Sequence, residues 1–321
     1  MEKKLLITGS DGFIGKELKN YFLKAGFEVF GTTFFRQPID KKEIQFDIRK
    51  KENFSALWHD EDFDTIIHTI GLMNQNEPYT SMYAINAQGT KYMCEYAKSR
   101  GCNHLIFTSS VSIYGTKVIG ENRTENDIKR KYKHFITPYG KSKAIAEQFI
   151  EKSGLNYTNL RLPIVLGHGD TFISPSIVPR LINDTIFTCG KKPRKISLLY
   201  VKNLAPLAER LINIGPLNKS LNCISHTIFW EDLVKEYATN LGIEYNPKIK
   251  SKLTIFTNFK NRDYQFIASY SAFGAHYLSD NLFKVLNNWK PPYDWKEGVK
   301  EAIEGYLERK NKYEKYSRKT N

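Results

Sequence analysis

Short, continuously apolar runs alternate with amphipathic stretches through the first half of the chain. The runs Lys4–Thr8, Phe27–Thr33, Ile44–Asp47, Thr65–Ile70, His104–Ser109 and Tyr157–Leu162 predict strands. Between them, Lys16–Ala25, Lys51–Trp58, Ser81–Arg100 and Tyr139–Lys152 predict helices; Leu18, Phe22 and Leu23 in the first of these recur at helical spacing. Strands apolar on both faces and separated by helices indicate an α/β fold, a doubly wound parallel sheet whose sites lie at the strands' carboxyl ends. After Leu166 the alternation loosens, interrupted by Pro175, Pro179, Pro193 and Pro206. Helices are expected over Ile177–Asn183, Asn203–Ile214, Trp230–Asn240 and Trp295–Lys310. The chain then divides at 166/167, into a sheet domain and a smaller, mostly substrate-binding part from which segments return to the sheet.

The first strand runs into Thr8-Gly9-Ser10-Asp11-Gly12-Phe13-Ile14-Gly15, and a helix follows. Strand, glycine turn and helix are the parts of a Rossmann dinucleotide site. Gly9 permits the tight turn, Gly12 lets the backbone approach a pyrophosphate, and Gly15 lets helix and strand pack closely. The helix N-terminus offers unpaired N–H groups and a partial positive charge to the phosphates.

Composition narrows the setting. The 321 residues suffice for one large or two medium cores. No apolar run reaches the ~18–20 residues of a membrane span, and Met1-Glu2-Lys3-Lys4 leads directly into the first strand, so a cytoplasmic protein without a signal peptide is expected. Cys94, Cys102, Cys189 and Cys223 lack metal-ligand spacing and read as reduced structural thiols; no metal site is expected. The net charge of +14 invites a nucleic-acid reading. Its lysines are dispersed, however, and the one dense run, Arg309 to Lys319, reads as a solvated tail. Anionic small molecules suit such a charge equally.

Pro138-Tyr139-Gly140-Lys141-Ser142-Lys143 places a phenol and an ammonium one helical turn apart. The ammonium is expected to lower the phenol's pKa by roughly 1–3 units, making Tyr139 a proton donor or acceptor for a substrate oxygen. The strand ending Phe107-Thr108-Ser109-Ser110-Val111-Ser112-Ile113-Tyr114-Gly115 supplies a hydroxyl cluster that would bond the same oxygen.

In order, TGSDGFIG, DTIIHTIG (Asp64–Gly71), NAQGT (Asn86–Thr90), FTSSVSIYG (Phe107–Gly115), PYGKSK, LRLPIVLGHGD (Leu160–Asp170) and SDNLFKVLNNWKPPYDWKEG (Ser279–Gly298) resemble the extended short-chain dehydrogenases/reductases, the NAD-dependent epimerase/dehydratase family. The resemblance implies Tyr139 as acid/base, Lys143 as its partner and a ribose ligand, and Ser110 as the third catalytic residue, counted back from Tyr114-Gly115. It implies cofactor contacts from Gly9, Gly12, Phe13, Ile14 and Gly15 at the pyrophosphate, from Asp47-Ile48 at adenine, from Thr69-Ile70-Gly71, and from Leu162-Pro163-Ile164 beside the nicotinamide. Asn86 reads as a structural or simply buried, satisfied amide. The long helices Ser81–Arg100 and Tyr139–Lys152 resemble those that pair relatives into homodimers.

Departures from the family pattern narrow the reaction. No acid stands near Thr33 to bind a ribose 2′-hydroxyl, and Thr33 and Arg36 would accept a 2′-phosphate. NADP(H) is therefore favoured over NAD(H), unless Arg36 is an ordinary loop residue. Val111 and Ser112 stand where related 4,6-dehydratases carry an Asp-Glu pair, so elimination of water lacks its acid and base. What remains is reduction of a 4-keto nucleotide-activated sugar for surface polysaccharide, with a nucleotide-sugar 4-epimerase holding NAD as the alternative and reduction of a non-sugar ketone as a third. Arg180, Arg194, Lys195 and Arg262 are candidates for the nucleotide diphosphate, and Ser110 and Ser112 for the sugar. The family's arginine position holds Ile196, and Lys202 replaces an expected Asp, which weakens the substrate assignment. A non-catalytic, nucleic-acid-binding protein of this fold would have lost the Tyr139–Lys143 pair.

Overall fold

The computed structural model describes residues 3–74, 77–115, 122–129, 137–253 and 262–317. Its first half contains β1 (Lys4–Thr8), α1 (Phe13–Lys24), β2 (Glu28–Thr33), β3 (Glu43–Gln45), β4 (Thr65–His68), α2 (Tyr79–Met82), α3 (Gly89–Ser99), β5 (His104–Ser110), α4 (Pro138–Lys152) and β6 (Tyr157–Leu162). The second half adds β7 (Ile164–Leu166), α5 (Ile173–Ile182), β8 (Phe187–Cys189), β9 (Lys195–Tyr200), α6 (Leu204–Ile214), β10 (Lys219–Asn222), β11 (His226–Phe229), α7 (Trp230–Asn240), β12 (Lys248–Lys250), α8 (Arg262–Phe273), α9 (Asp280–Val285) and α10 (Trp295–Ser317).

Seven strands form one parallel sheet in the order β10-β6-β5-β4-β1-β2-β3. The chain enters at β1, steps outward to β3 and crosses back to β4, so the order reverses between β1 and β4. In sheets of this kind ligands bind outside the strands' carboxyl ends at such a reversal. Successive side chains on a strand face opposite ways. Leu5 and Ile7 therefore join Phe22 of α1, Leu207 and Leu211 of α6 and Leu282 of α9 on one face. Leu6 joins Ile66, Phe107, Met93 of α3, and Ala146 and Ile150 of α4 on the other. The remaining second-half elements build their own core around Ile177, Leu198, Trp230, Tyr237 and Ile267. Their strands form a three-stranded sheet, β11-β9-β7, and a two-stranded one, β12-β8.

Several boundaries differ from expectation. Helix α1 starts at Phe13 rather than Lys16, because its Gly12 cap and Gly15 read as loop in sequence. Lys51–Trp58 is a 3₁₀ turn over Lys51–Ala56 rather than an α-helix. Ser81–Arg100 contains a π-helical stretch, Tyr83–Gln88, between α2 and α3. Helix α10 runs on to Ser317, and the Arg309 guanidinium donates to the Asp170 carbonyl, so this part of the basic tail is packed rather than frayed. The side chain of Lys315, and Arg318 and Lys319 altogether, lie outside the described residues. All four cysteines are buried thiols. No described helix is long and apolar enough to cross a membrane.

Candidate active site

The glycine turn closes through backbone bonds: the Gly12 N–H donates to the Gly9 carbonyl at 3.0 Å, and the Ser10 N–H to the Thr32 carbonyl at 2.8 Å. Gly9 has φ +71°, which glycine adopts without strain. A Cβ on Gly15 would stand 2.1 Å from the Gly9 oxygen, so the first turn of α1 lies directly against the loop. No side chain caps α1 and no acid occupies its first turn. The N–H groups of Phe13, Ile14 and Gly15 thus have no acceptor within the helix. This backbone cradle, which a Cβ would fill, fits a dinucleotide pyrophosphate. Gly15→Ala is expected to push α1 from the turn, at a cost of ~1–3 kcal/mol, with loss of pyridine-nucleotide affinity. Thermal unfolding and nucleotide-binding fluorescence check this, and an unchanged affinity would dissociate the turn from the nucleotide.

The carboxyl end of β5 faces the amino end of α4. Thr137 caps α4, its hydroxyl accepting from the Gly140 N–H at 3.0 Å, and Pro138 opens the first turn. Gly140 is required by contact: a Cβ there would lie 2.3 Å from the Ser112 carbonyl oxygen. That closeness sets half-buried Tyr139 beside Ser110. The strand's alternation separates the two serines: Ser109 donates to Glu147 at 2.5 Å, whereas Ser110 lies on the side of the Tyr139 phenol and works against the rise in its pKa. The Ser110 hydroxyl also donates to Ser112 Oγ at 3.0 Å and accepts from the Ser112 N–H at 3.1 Å.

Lys143 is 2% exposed and donates through Nζ to the Thr108 carbonyl at 2.9 Å, with the Phe107 ring beneath at 4.5 Å. Burial lowers its pKa to about 7, against an opposing push from Glu147. The expected lowering of the Tyr139 pKa is reversed. Burial raises the phenol to about 12 while Ser110 offsets part of the rise. Spacing put the two groups on one helical face, but Nζ is aimed at Thr108 and toward Gly71, where a Cβ would sit 3.0 Å away. The phenol is therefore held protonated and the lysine is poised near neutrality.

Asn86, wholly buried in the π-helical stretch, braces this corner. Its Oδ1 accepts from the Leu72 N–H at 2.7 Å, and its Nδ2 donates to the Leu72 carbonyl at 3.0 Å and to Ser142 at 2.9 Å. Ser142 in turn donates to the Tyr139 carbonyl at 2.8 Å. Thr69 bonds back to the Thr8 carbonyl at 2.6 Å, fixing Thr69, Ile70 and Gly71 beside the glycine turn. Leu162 and Ile164 are buried at the ends of β6 and β7. Sequence reasoning missed His68, held neutral between Thr8 and Thr90 with its pKa pushed down to about 3 by burial. It also missed the buried Glu147–Arg161 pair, 2.8 Å apart behind Ser109. The available signals were Glu147 one turn beyond Lys143, and Arg161 inside the LRLP run.

Several other assigned residues have partners outside this corner. The Arg36 guanidinium grips both oxygens of Glu43, which Lys19 also pairs with, and donates to the Gln37 carbonyl. Asp47 is engaged by Arg49 at 2.6 Å, leaving Ile48 packed under Gly89. Arg180 donates to Ser176 in its own helix at 2.7 Å. Arg194 precedes β9, its carbonyl accepting from the Trp230 N–H at 2.9 Å. Lys195 is exposed. Lys202 pairs with Glu301 at 2.5 Å. Arg262 opens α8, and its side chain lies outside the described residues.

The family model described as "NAD dependent epimerase/dehydratase family" matches residues 5–220. The dTDP-D-glucose 4,6-dehydratase of Dictyostelium discoideum is 22% identical, over 96% of this chain and 82% of that protein. The UDP-glucose 4-epimerase of Vibrio cholerae is 25% identical, over 97% of this chain and 98% of that protein. Among solved structures, the Bordetella bronchiseptica enzyme WbmH in complex with NAD+ superposes with a TM-score of 0.76 at 19% identity, covering 96% of this chain and 99% of that one.

Proposed function

The chain belongs to the NAD-dependent epimerase/dehydratase family, as an enzyme of the extended short-chain dehydrogenase/reductase type, and from that premise we propose that it reduces the 4-keto group of a nucleotide-activated deoxysugar. The observation that carries this reading is a phenol kept protonated by burial, beside Ser110 at the sheet's carboxyl edge. A nicotinamide bound over the glycine turn would supply the hydride to the sugar carbon. Tyr139 gives its proton to the carbonyl oxygen, Ser110 and Ser112 hold that oxygen, and Lys143 serves the ribose hydroxyls. Val111 and Ser112 offer no acid–base pair for elimination, although one relative is named a dehydratase. The product would enter surface polysaccharide.

A 4-epimerase that keeps NAD is the second reading, favoured by one observation: Arg36, on which the expectation of NADP(H) rested, is committed to Glu43. Stoichiometry separates the two. A reductase consumes one reduced nucleotide per 4-keto sugar nucleotide, whereas an epimerase equilibrates 4-hydroxy sugars with no net change in nicotinamide absorbance. If neither occurs across a panel of nucleoside-diphosphate sugars, the nucleotide-sugar assignment falls.

Reduction needs the Tyr139 proton and the Lys143 ammonium together. As pH rises through about 7 the ammonium is lost, while the phenol keeps its proton to about 12. The kcat/KM for reduction should therefore decline above neutrality, a profile that reports groups of the uncomplexed enzyme. Lys143→Arg, whose guanidinium does not titrate in this range, should remove that limb; a limb unchanged in Lys143→Arg would assign it elsewhere.

Homodimerisation through α3 and α4 also belongs to this reading. Exposed Lys91 of α3 lies over the half-buried Phe149 of α4 at 5.8 Å, a cation and ring joining the two helices. Light scattering should give twice the chain mass, and Phe149→Glu should give the monomer; a monomeric parent protein would refute it.

A further inference from the structure

The loop that leaves β7, Gly167-His168-Gly169-Asp170, is pressed between the first residue of α1 and the C-terminal helix α10. Asp170 closes it, accepting from the N–H groups of Phe172, Ile173 and Ser174 at 2.7, 3.0 and 2.7 Å. On one side lies the Phe13 ring: a Cβ on Gly169 would stand 3.0 Å from Phe13 Cδ2, and one on Gly167 3.6 Å from Cε2. On the other side α10 comes to backbone distance. A Cβ on Gly305 would stand 3.0 Å from the Gly169 nitrogen and 3.2 Å from the His168 ring. Two side chains of α10 tie this contact: the Arg309 guanidinium donates to the Asp170 carbonyl, and Glu308 meets His168 at 3.0 Å. The His168–Glu308 pair is 45% and 70% exposed, and such pairs contribute little. Half-buried Arg309 and the backbone contact at Gly305 hold the loop.

We propose that Gly305 and Arg309 are positioning residues for the dinucleotide: by holding the 167–170 loop on Phe13 they fix the first turn of α1, whose N–H groups serve the pyrophosphate. Phe13 opens that helix, and no side chain caps it. The surface behind the Phe13 ring is backbone, so a shift of α10 at Gly305 reaches the ring instead of being absorbed by a change of rotamer. Hydrogen bonds weaken steeply when misaligned. The turn's hold on a pyrophosphate therefore depends on a helix that need not touch the cofactor. The inference rests on the dinucleotide site above, and on neither the sugar turned over nor the choice between NAD(H) and NADP(H).

Titrating the full-length protein with NADH and with NADPH, followed by nicotinamide fluorescence well below Tm, tests this. Gly305→Ala and Arg309→Met should each raise the Kd of whichever nucleotide binds, by roughly 2–30-fold. Arg309→Lys, which keeps a cationic donor, should recover part of that loss. Lys310→Met, which removes an exposed charge from the same turn of α10, should leave Kd where it is. Phe13→Leu separates positioning from a merely structural role. With the ring gone, Gly305→Ala and Arg309→Met should no longer alter Kd, whereas their effects on Tm should persist. Kd unmoved in both Gly305→Ala and Arg309→Met overturns the proposal, as do effects on Kd that simply add to that of Phe13→Leu. Should Gly305→Ala fail to fold, the cycle of Arg309→Met with Phe13→Leu decides by the same criterion. Failure of both nucleotides to bind the parent protein overturns the dinucleotide site and this inference with it. Absence of sugar-nucleotide turnover alongside the coupling strikes only the substrate reading.

Discussion

Tyr139→Phe is expected to lower kcat by ~10²–10⁴-fold while leaving pyridine-nucleotide affinity and thermal stability close to those of the parent protein. The ring and its packing survive the substitution; only the proton is removed. Ser110 is not orphaned by the loss, because its hydroxyl still accepts from the Ser112 N–H at 3.1 Å and donates to Ser112 Oγ at 3.0 Å. A buried group that keeps its partners avoids the desolvation penalty of an unmade bond. The contrasting variant is Lys143→Met, which removes the ammonium beneath Gly71 and should weaken nucleotide binding as well as turnover. Measuring kcat together with nucleotide Kd for both variants separates a proton donor from a ribose ligand. Retention of more than roughly a tenth of turnover in Tyr139→Phe would remove the phenol from the chemistry.

What could be read from the chain follows what each physical signal encodes. The inner strands were visible because burial on both faces leaves runs such as Leu5-Leu6-Ile7 and Leu105-Ile106-Phe107. The glycine turn was visible because Gly9, Gly12 and Gly15 answer to backbone geometry, which tolerates few alternatives. The strands β7 to β12 escaped since they hold only three to six residues each, among prolines, and their partners come from distant segments. Side-chain direction was the least legible. Helical spacing put Tyr139 and Lys143 on one face but revealed neither that Nζ is captured by the Thr108 carbonyl nor that burial moves the phenol's pKa up rather than down. Arg36 looked available because Glu43, its partner, is brought opposite it by the pairing of β3 with Gly31, Thr32 and Thr33 of β2. Both surprises depend on how the folded backbone brings side chains together or buries them, which periodicity does not record.

The second large effect should come from behind the site. Arg161 and Glu147 are 5% and 4% exposed and form a two-point ion pair, Nε to Oε1 at 3.1 Å and NH2 to Oε2 at 2.8 Å. Ser109 and Ser220 donate to the same carboxylate, and Arg161 also reaches the Tyr114 hydroxyl at 3.1 Å and the Glu125 carbonyl at 3.1 Å. The pair thereby ties α4 to β5, β6 and β10. Removing one partner leaves a buried charge uncompensated, so Arg161→Met should cost ~3–5 kcal/mol and lower Tm by on the order of 10 °C. Glu147→Leu combined with Arg161→Met should recover much of that loss, because replacing both charges relieves the desolvation penalty, and a double-mutant cycle measures the coupling. Glu147 has a second consequence, since its charge holds the Lys143 pKa up against burial. Glu147→Gln should therefore move the alkaline fall of kcat/KM to lower pH, a shift that a merely structural contact would not produce. If Glu147→Gln lowers Tm yet leaves the pH profile in place, the pair supports the sheet without tuning the lysine that serves Tyr139.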